Sequence, residues 1–351
     1  MDYGQDSLNS VSKINRVIDI GIASFSIFEI VRKIEREDIA FSFDVQRSRE
    51  KWKEPKLSKL IESIILNIPI QAIYLAAENN NTYIVIDGQQ RLNTIYKFLV
   101  GRFPLTGLEI LSEYNSQYYR DLPMYIKRKI EDYQITVFII KKDSHPDIKF
   151  DIFERINEGA TKLNSQELRN CIYRSRGIPF IKYLSQYPEY MELIKSKKVD
   201  INGMQHEELV LRFMSFYFKG FEDYKGNMKK FLNDTLEQYD LYRNREGEFE
   251  QNFLRTIRNI NIVFGRDAFV YRPYRNLKRI KINISLFDIL TYSFSKWDDS
   301  FICANQSIIV QKLDRLMNYD HEFIESITGA PLTRSNTILR FKKWLYEVEN
   351  Y

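Results

Sequence analysis

The chain has 351 residues, 44% hydrophobic, 28% charged and 14% aromatic, a balance that excludes a disordered polypeptide. Its 52 basic and 47 acidic residues leave a formal charge of +5, which permits a nucleic-acid partner without requiring one. Two cysteines, Cys171 and Cys303, lie far apart with no CxxC spacing, which excludes a disulfide framework and a cysteine-rich zinc site and makes a reducing cytosol the expected setting.

No apolar run reaches the ~18 residues that a membrane span needs, and the short apolar stretch around Ile18–Ile30 is broken by polar residues, unlike a signal sequence. The expectation is a soluble, cytoplasmic protein. The length exceeds that of a usual single domain, and the pattern divides the expected fold into residues 1–180 and an α-helical domain over 181–351.

Along the chain, residues 24–37 place Ile27, Ile30, Val31 and Ile34 on one helical face, with Ser24 or Ser26 as N-cap. After the strand-like IAFSF, Leu57, Leu60, Ile61, Ile64 and Ile65 mark a second amphipathic helix. PIQAIYLAAE and NTYIVID then read as two paired strands around a polar turn. Directly after them comes DGQQ and a helix striped by Leu92, Ile95, Tyr96, Phe98 and Leu99, ending at Gly101. QITVFIIK (134–141) is the most strand-like run, and DIKFDIFERIN follows as a helix. From about residue 160 the pattern is almost wholly helical, with Gly177, Pro179 and Pro188 marking a soft boundary or hinge over 175–200. FMSFYF at Phe213–Phe218 is apolar on nearly every face and reads as core. The fold class expected is α+β, with a small mixed sheet and helices in the N-terminal half and a mostly α-helical C-terminal half.

The motif that carries chemistry is Asp87-Gly88-Gln89-Gln90-Arg91. A glycine between strand and helix permits a positive φ and converges backbone N–H groups on one point, and the helix N-terminus adds partial positive charge. Asp87 can hold a metal or orient water, Gln89 and Gln90 both donate and accept, and the planar fork of Arg91 matches phosphate oxygens. The plainer alternative is a simple Asp-Gly turn with a solvated arginine.

Three blocks in order raise the first reading. Ile86–Leu92 resembles the signature of the domain of unknown function 262 family, the ParB/sulfiredoxin-like DGQQR-motif domain found in the N-terminal part of GmrSD-type type IV restriction enzymes. Val45-Gln46-Arg47 with Trp52 and LIESIILNIPI resembles the family's upstream block, and FERINEGATKLNSQELRN at Phe153–Asn170 its downstream one. EELVLRF at Glu207–Phe213 and FLN at Phe231–Asn233 extend the likeness more weakly.

The resemblance implies a ParB/sulfiredoxin-like mixed sheet whose DGQQR turn lines a pocket for nucleotide phosphates or DNA, in an anti-phage or restriction-type defence system. It further implies NTP hydrolysis or DNA nicking there, with Asp87, Gln89 and Arg91 as the catalytic core. Gly88 and Gln90 would contact phosphate, Gln46 and Arg47 would point in from the preceding segment, and Arg155, Asn157 and Glu167 would border the pocket. Asp87 and Glu167 offer oxygen ligands for Mg²⁺ or another divalent cation. Glu167 pairing with Arg169 or capping a helix turn is the structural alternative, as is a helix C-cap at Asn157-Glu-Gly159.

The restriction relatives carry a His-based nuclease module, whereas His145, His206 and His321 are isolated here and are expected at the surface or in caps. Cleavage would then fall to the DGQQR site or to a separate effector protein. A basic, tyrosine-bearing run contains Arg272, Arg275, Lys278 and Arg279 and suits phosphate contact with base stacking, or serves only as a solvated connector. A non-catalytic DNA-binding or sensor module working beside a separate effector is the rival to an enzyme.

Overall fold

The computed structural model of the chain describes residues 19–41, 54–78, 82–141, 146–156, 164–271 and 281–349. By its contacts the chain divides into two units, Met1–Leu163 and Asn164–Tyr351.

The first unit is built on a five-stranded sheet in the order β1-β5-β3-β4-β2, with β1 spanning Ile20–Ser26, β2 Ile39–Ala40, β3 Ile73–Ala77, β4 Tyr83–Asp87 and β5 Gln134–Ile140. The β1/β5 and β3/β4 pairs are antiparallel and β3/β5 and β2/β4 parallel, so the sheet is mixed. Helices α1 (Ile27–Glu35), α2 (Glu54–Ile65), α3 (Gln89–Leu99), α4 (Met124–Glu131) and α5 (Pro146–Ile156) belong to this unit.

Strand and helix periodicities converge on one core. Ile39, Ile73, Leu75, Val85, Ile135 and Val137 from the sheet pack with Ile27 and Ile30 of α1, Ile61, Ile64 and Ile65 of α2 and Leu92, Ile95 and Phe98 of α3. Each such side chain, fully buried, contributes ~1.5–3 kcal/mol of transfer free energy.

One local expectation changes. Residues 24–26 are the end of β1, not the start of a helix, because Ser24, Phe25 and Ser26 pair with Thr136, Ile135 and Gln134 of β5. Ser26 then caps α1, its Oγ accepting from Glu29 N at 3.1 Å.

The second unit is helical, as the sequence pattern predicts: α6 (Ser165–Ile172), α7 (Ile178–Ser185), α8 (Pro188–Lys195), α9 (Gln205–Lys219), α10 (Met228–Glu237), α11 (Glu246–Phe264), α12 (Ile284–Lys296), α13 (Asp299–Tyr319), α14 (His321–Thr328) and α15 (Arg334–Glu349). Pro179 and Pro188 stand in the first turns of α7 and α8, where a missing N–H costs nothing. Aromatic residues dominate the core: Phe213 and Phe216 of α9 pack with Phe249 and Phe253 of α11 and Phe341 of α15. No helix among the described residues is long and apolar enough to cross a membrane. Cys171 is buried and Cys303 exposed, and neither forms a disulfide.

Candidate functional site

The geometry of the DGQQR turn begins in the sheet. Pairing runs Ala77↔Tyr83, Ala76↔Ile84 and Leu75↔Val85, then shifts to Tyr74↔Asp87, so Ile86 is an extra residue in β4. A bulge of this kind sharpens the local twist and re-aims the side chains that follow. It lies directly before the turn.

Gly88 has φ 94° and ψ 6°, in the left-handed region. The backbone conformation favours glycine, and a Cβ there would in addition stand 2.1 Å from Ile73 Cδ1 and force that side chain to shift. Helix α3 starts at Gln89 with no side-chain cap and no acidic residue in its first turn. The partial positive charge of that end is therefore uncancelled by a local carboxylate cap, the arrangement that favours an anion.

Arg91 is only 7% exposed. Its Nη2 donates to Asp87 Oδ2 at 2.5 Å and its Nη1 to Gln71 Oε1 at 3.0 Å. Two arms of the guanidinium are thus fixed, and donors remain beyond those two bonds. Asp87, with 31% of its side chain exposed, is first of all the orienting partner of Arg91.

Gln89 and Gln90 are both partly exposed. The Gln90 carbonyl accepts from Thr94 Oγ1 at 2.7 Å. Its side-chain Oε1 is buried and has no hydrogen-bond partner among the described residues. A buried acceptor left unpaired costs ~1–3 kcal/mol, so a donor supplied there by a ligand hydroxyl or amine would recover that energy.

Other residues expected around the turn fall elsewhere or outside the described residues. Arg155 sits exposed in the last turn of α5, and among the described residues no hydrogen bond joins it to residues 87–91. Glu167 belongs to the second unit, where its carboxylate accepts from Asn164 N at 2.7 Å while Asn164 Oδ1 accepts from Gln166 N and Glu167 N, each at 2.9 Å. That is a reciprocal capping box opening α6. Gln46, Arg47, Trp52, Asn157, Arg272, Arg275, Lys278 and Arg279 lie outside the described residues.

The two carboxylates expected to ligate a divalent cation are thus each bonded within the protein, Asp87 to Arg91 and Glu167 to the α6 cap. Among the described residues no group of three or more His, Cys, Asp or Glu side chains is placed to hold a metal ion. Expected at the surface or in a cap, His206 takes a place in the first turn of α9, where its side chain is buried and Tyr190 Oη donates to its backbone carbonyl at 2.7 Å. His321 is exposed at the first position of α14, as the sequence suggests.

Sequence reasoning missed a buried polar network in the second unit. Arg169 donates from Nε to Asn233 Oδ1 and from Nη1 to Gln166 Oε1 and Glu208 Oε2, each at 3.1 Å. Gln166 Nε2 donates to Asn170 Oδ1 at 3.0 Å, and Asn170 Nδ2 donates to Glu207 Oε2 at 2.6 Å. Burial pulls the Arg169 guanidinium below the usual arginine range, and neighbouring Glu208 opposes that shift. The NSQELRN, EELVLRF and FLN blocks thus meet as internal scaffolding. The available signal was Arg169 between Leu168 and Cys171, a polar residue on the apolar stripe of its helix.

Together these features define an α+β domain in which an interior, bulged strand of the sheet leads through a glycine turn into a helix, followed in the chain by a helical unit. Residues 27–174 match the model of the family described as GmrSD restriction endonuclease, N-terminal domain, and this segment is a domain of that family. The match relates this segment, and not the residues after it, to restriction-type proteins. No curated protein matches the chain.

Proposed function

We propose that the first unit is a nucleotide-binding domain that takes a nucleoside triphosphate by its phosphates at the Gly88 turn, within a defence protein that acts on DNA. The observation that carries this reading is the conjunction at residues 87–91 of a left-handed glycine, an uncapped helix start and a guanidinium locked beside it. Such a receptor loses little rotamer entropy on binding, because the protein has already ordered Arg91.

The commitment of Asp87 to Arg91 favours a binding and sensing role, working with a separate effector, over NTP hydrolysis or DNA nicking driven by Asp87. In this reading Arg272, Arg275, Lys278 and Arg279 supply the DNA contacts, and Gln46, Arg47, Arg155 and Asn157 add to the phosphate pocket.

Calorimetric titration of the four nucleoside triphosphates and of duplex DNA into the full chain tests the site. Charge-assisted hydrogen bonds of ~1.5–3 kcal/mol correspond to a loss of about 10- to 150-fold in affinity for Arg91→Ala. Unchanged affinity for all five ligands would refute the assignment. Phosphate release measured with and without Mg²⁺ separates binder from hydrolase, since a binder gives none in either buffer.

A further inference from the structure

The sheet face that bears Asp87 carries a row of side chains that the phosphate reading does not use. Strand register aligns Ile22 of β1 with Phe138 of β5, Phe138 with Tyr74 of β3, and Tyr74 with Asp87 of β4. The Tyr74 and Phe138 rings stack, with centroids 5.0 Å apart and planes 19° from parallel. Both rings are partly exposed, and Ile22 at the end of the row is 73% exposed. Neither ring joins the main core of this unit, whose sheet residues Ile73, Leu75, Ile135 and Val137 alternate with them on the opposite face.

Phe138 covers one face of Tyr74, and on its other side Tyr74 pairs in register with Asp87 of β4, the residue that precedes Gly88, one strand spacing of ~4.8 Å away. A flat heterocycle covalently tied to a phosphate chain fits that juxtaposition. An aromatic face stacks on any base, because every base has a π-face.

We propose that Tyr74, backed by Phe138, is the base platform of the nucleotide site: the heterocycle continues the Phe138–Tyr74 stack while its phosphates lie at the Gly88 turn. This rests on the phosphate-binding reading. Stacking without edge contacts predicts tolerance of all four bases, with purines, whose rings overlap Tyr74 more fully, binding most tightly.

The test compares GTP, ATP, UTP and CTP with inorganic tripolyphosphate as ligands of the full chain, unsubstituted and as Tyr74→Leu and Tyr74→Phe. Purine triphosphates should bind the unsubstituted chain about 10-fold or more tighter than tripolyphosphate, the scale of one base stack. Tyr74→Leu should remove that advantage while leaving tripolyphosphate affinity unchanged, and Tyr74→Phe should retain it. Since bound tripolyphosphate reports an intact turn, an advantage that survives Tyr74→Leu, or is absent from the unsubstituted chain, overturns the platform and leaves the phosphate site standing. Binding of neither ligand class to the unsubstituted chain overturns both. Should Tyr74→Leu fail to fold, fluorescence of a 2-aminopurine nucleotide on the unsubstituted chain decides: quenching on binding supports stacking, and binding without quenching overturns it.

Discussion

Each unit of the molecule contains an arginine bonded to an aspartate at 2.5 Å, and the two pairs are built for different work. In the second unit Arg212 grips both oxygens of Asp288, at 2.9 Å through Nε and 2.5 Å through Nη2, and Asp288 is 0% exposed. Arg340, also buried, adds its Nη2 at 3.6 Å from the same carboxylate. Burial lowers the Arg340 guanidinium to about 10, with Asp288 opposing that shift. In the first unit Arg91 gives one arm to a partly exposed Asp87 and the other to Gln71. A sealed, bidentate pair fixes helices against each other, whereas a pair with one exposed end and donors to spare fixes a side chain for something else to use. Burial, not residue type, draws the distinction.

The largest expected effect lies in the sealed pair. Asp288→Ala leaves Arg212 and Arg340 without their shared counter-charge and should cost ~3–5 kcal/mol, read as a fall in the denaturant midpoint at constant slope. Arg91→Ala should cost clearly less stability than that, since the stranded Asp87 reaches water; an equal loss would erase the contrast between the two pairs.

Gly88→Ala comes next. The left-handed φ and the 2.1 Å approach to Ile73 Cδ1 predict a loss of ~1–3 kcal/mol. Ile73→Val, which deletes that Cδ1, should recover part of it, with the φ strain remaining; the double-mutant cycle measures the recovered share.

Smaller still, Glu167→Gln weakens the α6 capping box and should cost no more than ~1 kcal/mol in thermal unfolding without altering nucleotide affinity. A loss of nucleotide affinity in this variant would return Glu167 to the site.

The smallest effect is set by pH. Hydrogen bonds from Arg245 and then Tyr217 hold the Glu248 carboxyl down at about 2 from its ordinary 4.5. Its folded-state value is depressed, so its stabilisation is present above the unfolded value and is lost as pH falls from about 4.5 toward 2. Glu248→Gln should flatten that part of the acid-unfolding curve slightly and leave neutral-pH stability lower by no more than ~1 kcal/mol, as for other exposed pairs.

Much of the fold was legible in local pattern. The β3–β4 hairpin, the stripe of α3 and the helical second unit follow from periodicity and turn residues that act over a few positions. The end of β1 was not legible, because the partners of Ser24–Ser26 lie more than a hundred residues away in β5, and helical spacing downstream of Ser26 masked the strand. In the candidate site, Gly88 announced itself by its place between strand and helix. The bond from Arg91 to Gln71 and the half-exposed Tyr74–Phe138 stack did not, since each joins segments that only the sheet brings together.

The amino-acid order by itself thus determined where chain direction reverses, which faces are apolar, and that a glycine turn enters a helix with an arginine in its first turn. Only the tertiary structure decided which charges are spent inside the protein. Asp87 is bonded to Arg91, Glu167 to the α6 cap, and Arg169 to a buried network. The physical reason is that a charged side chain has the same composition whether it faces water, a ligand or a counter-ion, and its energetics are set by neighbours that long-range packing supplies.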